Sequence, residues 1–254
     1  YIFERNSGGS WSQIQKIQAS DKEADDHFGY SVAIHGNYAI VGARFEDTGG
    51  NEAGAAYIFE RNSGGTWSQI QKIQASDIEG GDYFSISVAI HGNYAIVGAH
   101  SEDTGGSAAG AAYIFERNSG GSWSQIQKIQ ASDIEADDSF GYSVAIHGNY
   151  AIVGAYGEDT GGLGAGAAYI FSSNDGNMTA LTNDAEFETL HVNNAEFETL
   201  HVNNGGIINC DNLESNDIFC NTISFSSFKT SNFGTQQKIQ ASDKEADDHF
   251  GYSV

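Results

Sequence analysis

Proline is absent from the 254 residues, although average usage would give about a dozen. Glycine, with 32 residues, is therefore expected to form the turns. Basic residues are also scarce, because 11 Lys and Arg stand against 34 Asp and Glu, for a net charge of −23. This balance argues against binding to nucleic acid or to anionic membrane surfaces, which both need clustered Lys and Arg. Apolar stretches fall far short of the about 20 residues of a membrane span, so we expect no membrane insertion.

Cysteine is nearly absent too. Cys210 and Cys220 can form one disulfide in an oxidising compartment, or can remain two free thiols. Asn177, in the sequence Asn-Met-Thr, is the single N-glycosylation sequon, which has meaning in a secreted eukaryotic protein. The chain lacks an initial Met and both begins and stops inside a repeat, so we expect it to be a piece of a longer protein.

An internal repeat organises most of the chain. YIFERN begins at Tyr1, Tyr57 and Tyr113, and YIFSSN begins at Tyr169, so the period is 56 residues. Copies this similar indicate duplication of one structural unit, and a unit of this kind buries its apolar faces only against its neighbours.

Four strand signals recur within each period. In the first complete period they are YSVAIH (30–35), YAIVGA (38–43), GAAYIFE (54–60) and WSQIQKIQ (67–74). The first two are joined by Gly36-Asn37, a two-residue hairpin turn, and the last is the most polar. No segment has a sustained period near 3.6, so the fold class is predicted to be all-β. Four antiparallel strands graded from apolar to polar indicate one blade of a β-propeller, or of part of one. A β-solenoid is less favoured, because 56 residues are long for one coil.

The motifs Phe28-Gly29, Ser31-Val32-Ala33 and Val41-Gly42-Ala43 resemble the FG-GAP repeat, the family of the integrin α-subunit β-propeller and of many microbial surface proteins. The resemblance covers residues 1–174 and 235–254, and it implies seven four-stranded blades in a complete domain. This chain is shorter, so it is either a fragment or completes its blades with other chains.

Two departures from the family pattern matter. The loop that carries calcium in integrins is shortened here to residues 35–38, which supply too few oxygens, so that calcium site is not carried over. The second copy has Ser85 where the motif has Gly, so either the second blade is a mild exception or the demand for glycine at this position is not strict.

The repeat divides the chain into three parts. Residues 1–174 form the FG-GAP-like blades, and residues 223–254 return to the repeat as an outer strand and the start of the next blade. Between them, residues 175–222 contain the tandem decapeptide AEFETLHVNN and an Asn-rich tail. We interpret this stretch as a diverged blade or a short β-solenoid segment.

Acidic residues precede each Phe-Gly motif with a spacing that could wrap Ca²⁺. The candidate calcium ligands are Asp21, Glu23, Asp25, Asp77, Glu79, Asp133, Glu135 and Asp137. The match to an EF-hand loop is poor, and a solvated acidic loop is the favoured interpretation. No other cofactor is expected.

Two further sets of polar residues recur in the repeats. The hairpin histidines His35, His91 and His147 occur once per blade, and in a propeller we expect them about 20 Å or more apart, too far to share a metal. Acidic pairs begin at Glu46, Glu102 and Glu158, and the Asp of each pair is expected to organise its own turn, because adjacent residues in a turn do not face each other across a substrate. With no catalytic constellation, we expect a protein that is not an enzyme.

These patterns favour a non-enzymatic structural or adhesive repeat protein at the cell surface or outside the cell. Incomplete terminal blades would let copies associate head-to-tail into a filament. The alternative is a ligand-binding propeller that recognises a glycan or a protein through variable loops. The candidate ligand-binding residues are Arg44, Phe45, His100 and Tyr156, which vary where the frame does not.

Overall fold

The computed structural model describes residues 1–173, 190–192, 208–210 and 233–239. These residues form strands, turns and loops without any helix, which confirms the all-β prediction. Among them there is accordingly no helix long and apolar enough to cross a membrane.

The strands form antiparallel sheets that follow the repeat. A two-stranded pair comes first, and three four-stranded sheets, here called blades 1, 2 and 3, follow it. The pair consists of β1 (Ile2–Arg5) and β2 (Trp11–Gln15); blade 1 of β3 (Val32–His35), β4 (Tyr38–Ala43), β5 (Ala55–Arg61) and β6 (Trp67–Ile73); blade 2 of β7 (Ser87–His91), β8 (Tyr94–Ala99), β9 (Ala111–Arg117) and β10 (Trp123–Ile129); blade 3 of β11 (Phe140–His147), β12 (Tyr150–Ala155), β13 (Ala167–Ser173) and β16 (Phe233–Ile239). The described blades do not close into a ring, so they correspond to part of a propeller.

Each blade is built from the inside outward by short-range sequence signals. Gly36 has a φ of 58°, the left-handed conformation that the tight turn between β3 and β4 requires. The next two strands are apolar and buried along nearly their whole length, as strands covered on both faces should be. The fourth strand alternates between buried and more exposed residues and starts with a buried tryptophan, Trp67.

The hydrophobic core lies between blades rather than within them. Ile40, Ile58 and Ile73 of blade 1 form one cluster with residues of blade 2 that include Val88, Ile90, Phe115 and Trp123. One period later, the equivalent residues of blades 2 and 3 form a second such cluster. We call the face of a blade that packs on the preceding blade its leading face. Every blade therefore depends on a neighbour for burial, as a repeat architecture requires.

The chain separates into two compact units, residues 1–172 with 233–254, and residues 173–232. In the second unit the structure describes β14 (Leu190–Val192) and β15 (Ile208–Cys210), which pair in parallel. The choice between a diverged blade and a β-solenoid for residues 175–222 depends on residues outside the described part, so both interpretations stay open.

Candidate functional site

Close contact between neighbouring inner strands defines one edge of the blades. A Cβ atom on Gly42 would collide with the Ser31 hydroxyl and with the backbone oxygen of Ser85 in the next blade. The Ser31 hydroxyl donates to that same Ser85 oxygen at 2.7 Å, and Ser87 makes the equivalent bond to Gly141 at 2.8 Å. The Val-Gly-Ala motif is thus the place where the second strand of one blade meets the first strand of the next.

An aromatic row runs across this edge through all three blades. It consists of Phe45, Tyr83, His100, Tyr142 and Tyr156, and every one of these side chains is half-buried. Consecutive ring centres lie 5.5, 5.4, 5.4 and 4.6 Å apart, within the range of favourable aromatic pairs. The variable residues that follow Val-Gly-Ala in separate repeats are therefore brought together on one continuous surface.

Arg44 extends the aromatic row at its first end. Its guanidinium carbon lies 4.1 Å from the ring centre of Tyr30 and 4.2 Å from that of Phe45, a cation–π arrangement with two rings. His27 also packs on Phe45, with ring centres 4.6 Å apart. All four candidate ligand-binding residues thus lie in or beside the row.

Burial and charge keep the row neutral beyond Arg44. Burial, with a smaller effect of the Arg44 charge, lowers the pKa of His100 to about 4, so this imidazole is uncharged at neutral pH. The Tyr83 hydroxyl donates to Glu52 at 3.0 Å. This hydrogen bond and, to a smaller extent, burial raise the pKa of Tyr83. The row therefore offers neutral aromatic surface with a single fixed cation at one end.

Sequence reasoning missed Tyr30, Tyr83 and Tyr142. Tyr83 precedes the Phe of the second motif, while Tyr30 and Tyr142 follow the glycine of the first and third. Their aromatic character beside the repeated Phe-Gly motif was a usable signal, but their distance in sequence from Arg44 or His100 hid the contact.

A lysine connects neighbouring repeats beneath the acidic motifs. Lys72 is 3.0 Å from Asp21 of the preceding repeat and 2.6 Å from the nearly buried Glu46. Burial alone would lower the pKa of Lys72, but its bonds to Glu46 and Asp21 outweigh burial and raise it. Lys128 repeats the arrangement with Asp77 and Glu102, both at 2.8 Å. Two of the candidate calcium ligands are therefore ion-paired to lysine.

The rest of each acidic stretch forms a loop around one buried carboxylate. Asp82 accepts a hydrogen bond from the Glu79 amide at 2.8 Å, and Asp138 accepts one from the Glu135 amide at 2.7 Å. Burial, with nearby acidic residues, raises the pKa of both aspartates to about 6. The eight calcium candidates are exposed, and the described residues contain no group of three or more side chains arranged to hold a metal ion. Calcium binding stays a prediction.

The hairpin histidines form a second row, at the opposite ends of the inner strands. The ring centres of His35 and His91 lie 4.3 Å apart, and those of His91 and His147 lie 4.4 Å apart. The expectation of about 20 Å or more is wrong. These residues end β3, β7 and β11, the strands that lie closest across the blade junctions, so equivalent residues touch. We call His35, His91 and His147 the histidine ladder.

The paired acids serve separate structural bonds. Glu46 points to Lys72, whereas Asp47 accepts the Glu52 amide at 2.7 Å and closes its own loop, as predicted. Of the two cysteines, Cys210 ends β15 and Cys220 lies outside the described residues, as does Asn177. The disulfide and the glycosylation site therefore stay predictions.

Comparison with known proteins identifies the repeat. The sequence model of the FG-GAP repeat matches residues 11–59, 67–115 and 123–171, which together are more than half of the chain. A search of curated proteins finds no match. The three matched stretches start at Trp11, Trp67 and Trp123 and so keep the 56-residue period.

Proposed function

The chain belongs to the FG-GAP repeat family, and we propose that it is a non-enzymatic extracellular scaffold. In this proposal, copies of the chain associate through incomplete blades. Structural and adhesive repeat proteins of the cell surface act by presenting a long regular surface, and near-identical blades suit that task. The strongly acidic composition, with a net charge of −23, favours a solvated exterior and disfavours nucleic acid as a partner.

One observation carries the proposal: apolar residues of the leading face are buried in blades 2 and 3, but their equivalents in blade 1 are exposed. Val32 and Ile34 are 68% and 59% exposed, whereas their equivalents in blades 2 and 3 are at most 8% exposed. Phe3 and Trp11 of the β1–β2 pair are 54% and 68% exposed, although their counterparts in the blades are at most 5% exposed. Four large apolar side chains that are exposed here and buried in the equivalent places favour an interaction surface.

The β1–β2 pair shows what kind of partner fits. This half-blade covers the outer strands of blade 1, where Phe59 and Trp67 are buried, and among the described residues no inner strands pack over Val32 and Ile34. In blades 2 and 3 the equivalent residues are covered by an inner hairpin of the preceding repeat, so an inner hairpin of the same type fits here, and in this proposal a second copy of this chain supplies it. A contact between different surfaces of identical chains is heterologous and, if it does not close, produces a filament.

Electron microscopy of the purified chain tests this proposal. The unmodified protein should form filaments or short strings, while the double variant Val32→Asp, Ile34→Asp should appear as single particles. Because both side chains are exposed, the variant should fold normally. Leu163→Asp, at an apolar residue that is 74% exposed in a loop of blade 3, is the matched control and should assemble like the unmodified chain. Single particles for all three proteins would refute the proposal.

The aromatic row supports a second candidate function, recognition of a glycan. Its five rings are half-exposed, and aromatic faces stack against the C–H faces of sugars. Since the row is neutral and lies on an acidic protein, it suits an uncharged glycan better than an anionic one. Loops on a rigid frame are a common location for binding.

A glycan array tests the second candidate. Binding should be lost in Tyr156→Ala and kept in Tyr150→Ala, a 44% exposed tyrosine at the other end of the inner strands. Binding that is equal in both variants would reject the aromatic row as the site.

A further inference from the structure

One hydrogen bond in the histidine ladder fixes the tautomer of neutral His91. The backbone N–H of Gly148, in the turn of blade 3, donates to Nδ1 of His91 in blade 2 at 3.1 Å. Nδ1 therefore carries the lone pair, and the proton of the neutral ring is on Nε2. This bond joins blades 2 and 3 at the end of their inner strands.

The same bond argues against a metal ion on His91. A metal on Nε2 needs the lone pair there, and a ligating histidine then donates its other N–H outward. Here Nδ1 accepts a hydrogen bond instead, so a metal on Nε2 would force two N–H groups to face each other across the Gly148 contact. The neighbouring imidazoles are close enough to interact but are not arranged as ligands.

Protonation of His91 meets the same obstacle. A charged imidazole carries a proton on both nitrogens, so the Gly148 amide would lose its acceptor. A second cost comes from the stack, since the ring centres of His35 and His147 lie 4.3 and 4.4 Å from that of His91 and the charges of both residues oppose a charge on His91. Both costs fall on the contact between blades rather than within one blade.

The charged groups around the ladder do not offset these costs. On the strands next to the histidine turns, Glu60 and Glu116 accept hydrogen bonds from Tyr38 and Tyr94 at 2.6 and 3.0 Å. Arg117 adds positive charge beside the turn, bonded to Asn93. The two acids are thus engaged elsewhere, and the groups whose charge acts on His91 are His147 and His35.

We propose that the histidine ladder is an acid-sensitive contact, intact when His91 is neutral, that weakens the junction between blades when the pH falls. The ligand that this contact responds to is the proton, and protonation locally opens the edge of the blades. The tautomer of His91 and the spacing of the three rings carry this inference, which is independent of self-association and of glycan binding.

The direction of the pH dependence follows from the folded state. Burial, and then the charges of His147 and His35, lower the pKa of His91 below its ordinary value of 6.5. The folded chain therefore binds this proton less readily than the unfolded chain does. The contribution of His91 to stability is complete above 6.5 and is lost as the pH falls through 6.5 toward the lower folded value.

Thermal unfolding of the full chain and of His91→Asn tests the proposal. Asn places an oxygen where Nδ1 lies, so it keeps an acceptor for Gly148 but does not titrate. Between about pH 8 and about pH 5, the Tm of the unmodified chain should fall further than that of His91→Asn. His27→Asn removes a histidine outside the ladder and should keep the full acid response. Identical pH profiles for the unmodified chain and His91→Asn would overturn the proposal.

A second measurement does not depend on a variant that folds. In nitrogen-detected NMR of the unmodified protein, His91 should show the Nε2–H tautomer at neutral pH. Its titration should shift the Gly148 amide signal at a pH below 6.5. A His91 that carries its proton on Nδ1, or that titrates above 6.5 without effect on Gly148, would contradict the proposal.

Discussion

The side-chain amide of Gln15 is bonded twice to the backbone of Trp67 in the next repeat. Its Nε2 donates to the Trp67 oxygen at 2.7 Å, and its Oε1 accepts the Trp67 N–H at 2.8 Å. Gln71 and Trp123 repeat both bonds at the same distances. A side chain thus takes the place of a strand partner and joins the outer strands of successive blades.

Replacing Gln71 with Ala should destabilise the fold by about 1–3 kcal/mol, since the backbone groups of the buried Trp123 lose their partners. Urea denaturation measures the change in the free energy of unfolding. Gln13→Ala, at an exposed position of β2, is the control and should stay within about 0.5 kcal/mol of the unmodified chain. Equal losses in the two variants would mean that the double bond does not stabilise the junction.

Lys72→Met should cost about 1–3 kcal/mol, because it leaves Glu46 nearly buried without its cation. Adding Glu46→Gln should recover part of this loss, since a neutral amide is easier to bury. The unmodified chain, Lys72→Met, Glu46→Gln and the double variant form a double-mutant cycle, measured by urea denaturation. A coupling energy near zero would show that the two residues do not depend on each other.

The Ser85 side chain has two opposing effects on stability. Its φ of 73° is in the left-handed region that favours glycine, yet its hydroxyl donates to the Ala55 oxygen at 2.6 Å. Ser85→Gly removes both the strain and the bond, so its net effect should be small. Ser85→Ala removes only the bond and should be less stable than Ser85→Gly by about 1–2 kcal/mol in thermal unfolding, because alanine keeps the left-handed strain. The reverse order would contradict this explanation.

Asp82 should make stability depend on pH in the opposite sense to His91. Burial, and then nearby acids such as Glu102, raise the pKa of Asp82 from 3.8 to about 6. The folded state therefore holds this proton more tightly, and the resulting stability is present in acid and is lost as the pH rises through about 6.

Asp82→Asn keeps an acceptor for the Glu79 amide and removes this titration. Relative to the unmodified chain, it should become more stable as the pH is raised from about 4 to about 7. Asp25→Asn, at an exposed residue of the preceding repeat, removes the same charge without burial. If the two variants followed the same pH profile, net charge rather than the environment of Asp82 would be responsible.

The blade was predictable because its signals are local. The Gly36 turn, the apolar runs on either side of it and the polar fourth strand each specify their structure within a few residues, and the 56-residue period sets the number of copies. Packing between blades follows from the same period, since one blade cannot bury its own faces.

The geometry between blades was harder to predict. The spacing of the histidines was wrong because it depends on how closely the inner strands approach, which glycines such as Gly42 and Gly98 decide. The sequence shows variable residues at Arg44, Phe45, His100 and Tyr156. Tyr83 and Tyr142 connect these side chains through ring contacts between repeats, and the repeat period does not predict such tertiary contacts.

Sedimentation velocity over a wide range of protein concentration tests most directly whether a second copy covers the exposed leading face. The unmodified chain should shift to larger species as its concentration rises, and Val32→Asp, Ile34→Asp should sediment as a monomer throughout. Leu163→Asp should behave like the unmodified chain, because its site is exposed outside that face. A single monomeric species for the unmodified chain at every concentration would contradict self-association.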